Sequence, residues 1–271
     1  MTYTTADHVY DKVGITVNEI NPTQMARILE QADAEVDRIM NTTSNPKKTM
    51  EIQDGQQFNY THIRKLPLLK VLNVEIDQTP ISLSNLRFYP EGKIQLLPTA
   101  EQTYFYRNNL LRNVKIKFIW GWLEESTTNQ ETQSDNIPGI GQTVSVEDGT
   151  KFAQGDWIRI VGLDGWEEVT QINSLNSNDL NCDLIYSHLS SSMVIKLQVP
   201  RVVELLAGAI AAIMSALYMI GQTYTFATSY QTPDYQVTKG VPYPHFQKNL
   251  DSWVGERDYL IKSLPKWPAI G

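Results

Sequence analysis

The sequence predicts an α+β chain: a helical core with a small antiparallel sheet, an inserted small all-β module, and an extended C-terminal arm with a terminal helix. Three observations predict it. Apolar residues recur at helical spacing over 22–39 and 202–220. Short runs rich in β-branched and aromatic residues, separated by turn residues, fill 49–122 and 139–197. A Tyr-, Thr- and Pro-rich stretch without periodicity follows Gly221. The predicted boundaries are 1–125 plus 198–221 for a discontinuous core, 126–197 for a linker and the inserted module, and 222–271 for the arm and its helix.

The chain opens with TADHVYDKV, which can begin a helix at Thr4 or Thr5 and stop at Gly14. Asn21-Pro22-Thr23 is a second start, a capping residue followed by a proline suited to the first turn. Behind it Met25, Ile28, Leu29, Ala32, Val36 and Ile39 form one apolar face. Strands are expected at 70–77, 85–89, 93–97 and 113–121, with Pro90-Glu91-Gly92 as a hairpin turn. In the last run Val114, Ile116 and Phe118 alternate with Lys115 and Lys117, the period of a strand with one face on a core.

The segment 124–138 (EESTTNQETQSDNIP) has too little apolar side chain to bury itself and reads as a linker. Five strand-like runs follow at 143–146, 156–161, 168–172, 180–184 and 193–197, a small barrel or sandwich. Pro200 then opens the most apolar segment, Val202 to Ile220, in which Glu204 is the single charge. Its length suits a membrane span. Neither flank carries a Lys/Arg cluster to orient one, and Ala207, Gly208, Ala211, Ala212 and Ser215 let other backbones approach closely. The expectation is a buried helix and no membrane. A final helix is expected at 245–264.

The 271 residues are 41% hydrophobic and 20% charged, enough for a folded core. Thirty acidic against 23 basic residues leave a net charge of -7, which argues against a protein built to grip nucleic-acid phosphates. The lone Cys182 excludes an intrachain disulfide and a cysteine zinc cluster; with no basic-then-apolar opening, synthesis and use in a reducing cytosol are expected. His8, His62, His188 and His245 lie far apart in sequence, and no nucleophile elbow or phosphate loop is present. No catalytic residue, cofactor site or metal site is predicted. One candidate binding face pairs Trp157 with Trp166 beside Asp156, Asp164 and His188, since aromatic rings stack on sugars while carboxylates hold hydroxyls; burial of one or both tryptophans in a core is the alternative.

The order of the pieces carries a resemblance. The opening 5–10 helix, the acid-rich amphipathic helix around 28–38, Leu66-Pro67-Leu68-Leu69-Lys70-Val71 before a strand, the Val114–Gly121 strand, and Val199-Pro200-Arg201 starting an Ala-rich helix together resemble the head-tail connector (adaptor) proteins of tailed viruses. Gly121-Trp122 and Val199-Pro200 match the family's junction, and 124–198 intervenes as an insertion.

The resemblance implies a structural virion neck protein and no enzyme. It implies a homo-oligomeric, dodecameric ring under the portal protein, above a downstream stopper or tail-completion protein, with packaged DNA passing without specific binding. Assembly would take place in the host cytoplasm. On that reading Leu205, Ala209, Ile213 and Leu217 lie at subunit interfaces, and Tyr224, Trp253, Tyr259 and Trp267 dock the arm on the portal. The alternatives are a membrane anchor through 202–220 or a glycan-binding protein through Trp157 and Trp166.

Overall fold

The computed structural model describes residues 2–55, 58–98, 104–105, 112–224, 229–232, 235–238 and 244–265. The described chain divides into two compact units, one made from Met1–Asn41 with Pro200–Trp267 and the other from Thr42–Val199.

The first unit contains α1 (Ala6–Val13), α2 (Pro22–Met40), α3 (Arg201–Tyr224) and α4 (Pro244–Ser263). Capping residues set the early boundaries. The Thr5 side chain accepts from His8 N, Asn21 accepts from Gln24 N with Pro22 in the first turn, and Gly14 closes α1 in the left-handed region. α1, α2 and α4 all pack on α3. Val203, Leu206, Ala207, Ala209, Ile210, Ala211 and Ala212 are consequently buried, as are Met25, Ile28, Ala32 and Val36 of α2. The small residues of α3 leave room for neighbouring backbones, with Gly208 meeting the ring of His8. Lys12 of α1 pairs with Glu256 of α4 at 2.7 Å.

The second unit is entirely β and 3-10 in its regular structure. Its strands are β1 (Lys47–Gln53), β2 (Tyr60–His62), β3 (Leu68–Ile76), β4 (Thr79–Ile81), β5 (Leu86–Phe88), β6 (Lys93–Leu96), β7 (Val114–Trp120), β8 (Glu124–Glu131), β9 (Gly139–Ser145), β10 (Trp157–Val161), β11 (Glu167–Asn176), β12 (Asp179–Leu184) and β13 (Met193–Gln198). They form a four-stranded sheet β1-β7-β3-β4, a three-stranded sheet β2-β6-β5 and a six-stranded sheet β8-β13-β10-β11-β12-β9. All pairs are antiparallel. A two-stranded pair, β14 (Ser229–Thr232) with β15 (Tyr235–Thr238), follows α3.

These sheets correct the expected fold class. The helical core with a small sheet is overturned by the thirteen strands and three sheets of the second unit, which with the β14–β15 pair make fifteen strands beside four α-helices among the described residues. The physical reason lies in strands that bury little. Glu124–Glu131, read as a linker, is the edge strand β8, alternating between half-buried and exposed residues while its backbone groups pair with β13. β1 is likewise an edge strand, with four exposed, three half-buried and no fully buried residues in KKTMEIQ. Backbone pairing satisfies such segments without an apolar stripe, and apolar periodicity is what the sequence reading detects.

Two apolar cores fill the β unit. One gathers Val71, Val74, Leu86, Ile94, Ile116 and Phe118 from the three- and four-stranded sheets; the other gathers Val144, Ile158, Ile160, Ile172, Leu180 and Val194 from the six-stranded sheet. Polar side chains clasp the two together. Lys70 Nζ donates to Thr170 Oγ1 and to the Asp183 carbonyl, both at 2.7 Å, and the Tyr186 hydroxyl donates to the Leu86 carbonyl at 2.7 Å.

Candidate functional site

Period-two alternation in β2, β5 and β6 puts Thr61, Leu86, Ile94 and Leu96 into the core. It leaves Tyr60, His62, Arg87, Lys93 and Gln95 on the opposite, outward face. Register lines them up, with Tyr60 and Arg87 both opposite Gln95, and His62 opposite Lys93. The β5–β6 hairpin closes at Pro90-Glu91-Gly92 as its sequence predicts, Gly92 N donating to the Tyr89 carbonyl at 2.9 Å. Gly92 is required there: φ is 82°, and a Cβ would stand 2.4 Å from Leu66 Cδ2.

On this face aromatic rings and cations alternate. Lys93 Nζ lies 5.2 Å from the Tyr60 ring centre and 5.3 Å from that of Tyr89; the Arg87 guanidinium lies 5.6 Å from Tyr89 and 5.3 Å from Trp166. Phe58 stacks on Tyr60 at one end, and Trp166 meets Tyr186 at the other, ring centres 4.8 Å apart. The Tyr89 hydroxyl donates to Gln95 Oε1 at 3.3 Å. Neither Arg87 nor Lys93 forms an ion pair with a carboxylate among the described residues.

Beneath Tyr186 lies a buried polar network. Glu168 accepts from the backbone N–H groups of Ile185 and Tyr186 at 2.8 and 3.0 Å, and its Oε1 is 2.9 Å from His188 Nε2. Burial lowers the Lys70 ammonium pKa, opposed by the charges of Glu168 and Asp183. The Tyr186 phenol is raised, again by burial first and the Glu168 charge second. Cys182 is fully buried in the core of the six-stranded sheet, and burial pushes its thiol up to about 12. Such a thiol has almost no thiolate at neutral pH and packs as a small apolar group. No group of three or more His, Cys, Asp and Glu side chains converges to hold a metal among the described residues.

The two tryptophans of the sequence-derived sugar face are not brought together. Trp157 starts β10 opposite Gln171, whereas Trp166 precedes β11 beyond the Val161–Glu167 pair, at the far end of the same hairpin. Both are half-buried, and Trp166 alone joins the aromatic–cation row. The row is not legible as one surface in the sequence. Its signal was present as Tyr60-x-His62, Arg87-x-Tyr89 and Lys93-x-Gln95, but the assembly of three separate strands was not.

In α3, Ala209 is buried within its own unit, Leu205 and Ile213 are half-buried, and Leu217 is 53% exposed. α3 is long and apolar enough to cross a membrane by length and composition, and 61% of that stretch is buried inside the protein. Of the residues assigned to docking, Trp253 is buried in α4 and Tyr259 is 72% exposed on it. Tyr224 ends α3 with its side chain outside the described residues, and Trp267 lies outside them altogether.

No family model matches the chain, and no curated protein matches it. Among solved structures, the Gp54 tailspike of Acinetobacter baumannii bacteriophage AP22, in complex with A. baumannii capsular saccharide, is similar over 28% of this chain, with 16% identity and a TM-score of 0.24. This chain spans 15% of the tailspike's length. A likeness at that level assigns neither fold nor function.

Proposed function

We propose that the chain is a structural adaptor of a tailed-virus neck, one subunit of a homo-oligomeric ring beneath a portal, and that it performs no catalysis. The observation that carries this reading is the pairing of Glu124 with Gln198 across β8 and β13. The inserted segment leaves and returns through neighbouring antiparallel strands, so its two ends meet. What flanks it, Gly121-Trp122 before and Val199-Pro200 after, is the junction that resembles the connector family.

Local structure at the junction supports the same reading. Gly121 follows β7 at φ 153°, where a Cβ would stand 3.1 Å from the Thr43 carbonyl oxygen, so a side chain there would crowd the turn. Leu217 leaves apolar surface on α3 for a neighbouring copy, flanked by half-buried Ile213. Identical copies joined through heterologous contacts close into a ring when the rotation permits. The net charge of -7 suits a channel through which DNA slides without being held.

The test is to quantify the chain against the major capsid protein in purified particles of its source virus. About a dozen copies per particle are expected of a closed neck ring. Absence from particles overturns the reading.

The aromatic–cation row of Tyr60, Lys93, Tyr89, Arg87 and Trp166 favours a second reading, a saccharide-binding protein. The membrane-anchor alternative loses ground to the burial of α3 by α1, α2 and α4.

A further inference from the structure

We infer that the outward face of the β2-β6-β5 sheet binds an acidic saccharide, a chain of carboxylate-bearing sugars, through Arg87 and Lys93. The inference rests on the saccharide-binding reading and is independent of the ring.

The charge of the ligand follows from where these two cations have been placed. The chain holds 30 carboxylates against 23 basic side chains, yet Arg87 and Lys93 lie against aromatic rings and meet no carboxylate among the described residues. A cation held over a ring face is partly desolvated and restricted in its rotamers, while its N–H groups stay free to donate. An arriving anion therefore finds donors that are already ordered, and little side-chain entropy is lost on binding. Both cations flank the one ring of Tyr89, so a single short ligand reaches both.

The neutral groups between them fix the rest of the chemistry. Gln95 accepts from the Tyr89 hydroxyl through Oε1, and its amide N–H groups are left to donate to sugar hydroxyls. Phe58 is 54% exposed at the end of the row and offers a flat apolar surface for sugar C–H groups. A single-stranded nucleic acid fits less well. Its bases need open ring faces, and the rings of Tyr60, Tyr89 and Trp166 already carry Lys93 or Arg87. Its dense phosphates also demand more cations than the two on this face, in a protein of net charge -7.

The experiment is titration of the full chain with polygalacturonate oligomers, with the same oligomers after reduction of their carboxylates to neutral hydroxymethyl groups, and with single-stranded DNA. Saturable binding of the acidic oligomer alone is expected, weakening as salt is raised. R87Q and K93Q should each weaken it by about tenfold, the worth of one charge-assisted hydrogen bond, while R87K retains most of the affinity. Lys12→Gln, in the helical unit, should change nothing. Unfolding midpoints of R87Q and K93Q matching the parent would show that lost binding is not lost folding.

Equal binding of the acidic and reduced oligomers would overturn the acidic specificity and leave the saccharide reading standing. Binding of neither would overturn both. Tighter binding of DNA that R87Q and K93Q abolish would give the face to a nucleic acid instead. Affinity for the acidic oligomer that survives both substitutions would remove this face from the interaction.

Discussion

The helical unit and the β unit hold together by different physics. In the first, α3 is enclosed by α1, α2 and α4 through Val203, Leu206, Ile210 and a series of alanines, a burial that is apolar and largely non-directional. In the second, two apolar cores are joined by Lys70, Thr170, Glu168, His188 and Tyr186, whose contacts depend on angle and distance. The difference teaches where each unit is vulnerable. A packed seam of small residues suffers from added volume, whereas a buried polar clasp suffers when one partner is removed and the others are left unsatisfied.

The sharpest break of this comparison is Glu168→Ala. It strips an acceptor from two backbone N–H groups and from His188, and it removes Glu168 from the charges that compensate Lys70, leaving Asp183. The expected cost is about 3–5 kcal/mol, as for one partner of a buried pair. Native-state hydrogen exchange should show the loss in β11 and β12, with protection in α2 and α3 unchanged; a loss spread equally over the helices would refute the division.

Next in size is Ala212→Leu, at a fully buried position of α3. Overpacking there should cost about 1–3 kcal/mol in denaturant unfolding, with the effect confined to the helical unit. A neutral result would mean that the seam has spare volume.

A smaller effect, of opposite sign, is expected at Asp33. Tyr3 N donates to its carboxylate, but burial outweighs that contact and pushes Asp33 up to about 6 from 3.8. A raised acid pKa means that the folded state holds the proton longer than the unfolded chain does. The contribution of Asp33 to stability is therefore fully present below pH 3.8, is lost as pH rises through about 6, and is flat above. Asp33→Asn should remove this slope and raise stability at pH 7. Because Asp33 is only half-buried, solvent screening limits the gain to about 1 kcal/mol or less. Thermal unfolding between pH 4 and 7 reads it directly, and an unchanged slope in the variant would reject it.

The smallest is the coupling of Lys12 to Glu256, which ties α1 to α4 near the surface. A double-mutant cycle should give about 0.2–1 kcal/mol, shrinking with added salt. A coupling several times larger, or one insensitive to salt, would make the helical unit as dependent on directed contacts as the β unit.

Much of the local structure was legible in the sequence. Asn21-Pro22 marked the start of α2, Pro200 the start of α3, Gly14 the end of α1, and Pro90-Glu91-Gly92 the hairpin between β5 and β6. Each is a local matter of one residue's dihedral freedom or one side chain's capping bond. The apolar spacing of Met25, Ile28, Leu29, Ala32 and Val36 marked the buried face of α2 because burial leaves a period. Edge strands leave none: β1 and β8 are held by their neighbours' backbones and carry mostly polar side chains.

What only the tertiary structure decided is which distant residues share a surface. Trp157 and Trp166, nine positions apart, end at opposite ends of a hairpin. Tyr60, Arg87, Lys93 and Trp166, drawn from three strands of one sheet and a turn beside another, form a single row. Periodicity assigns a residue to a face of its own strand. Strand register and the packing of one sheet beside another assign that face its neighbours, and these are set by pairings between segments far apart in the chain.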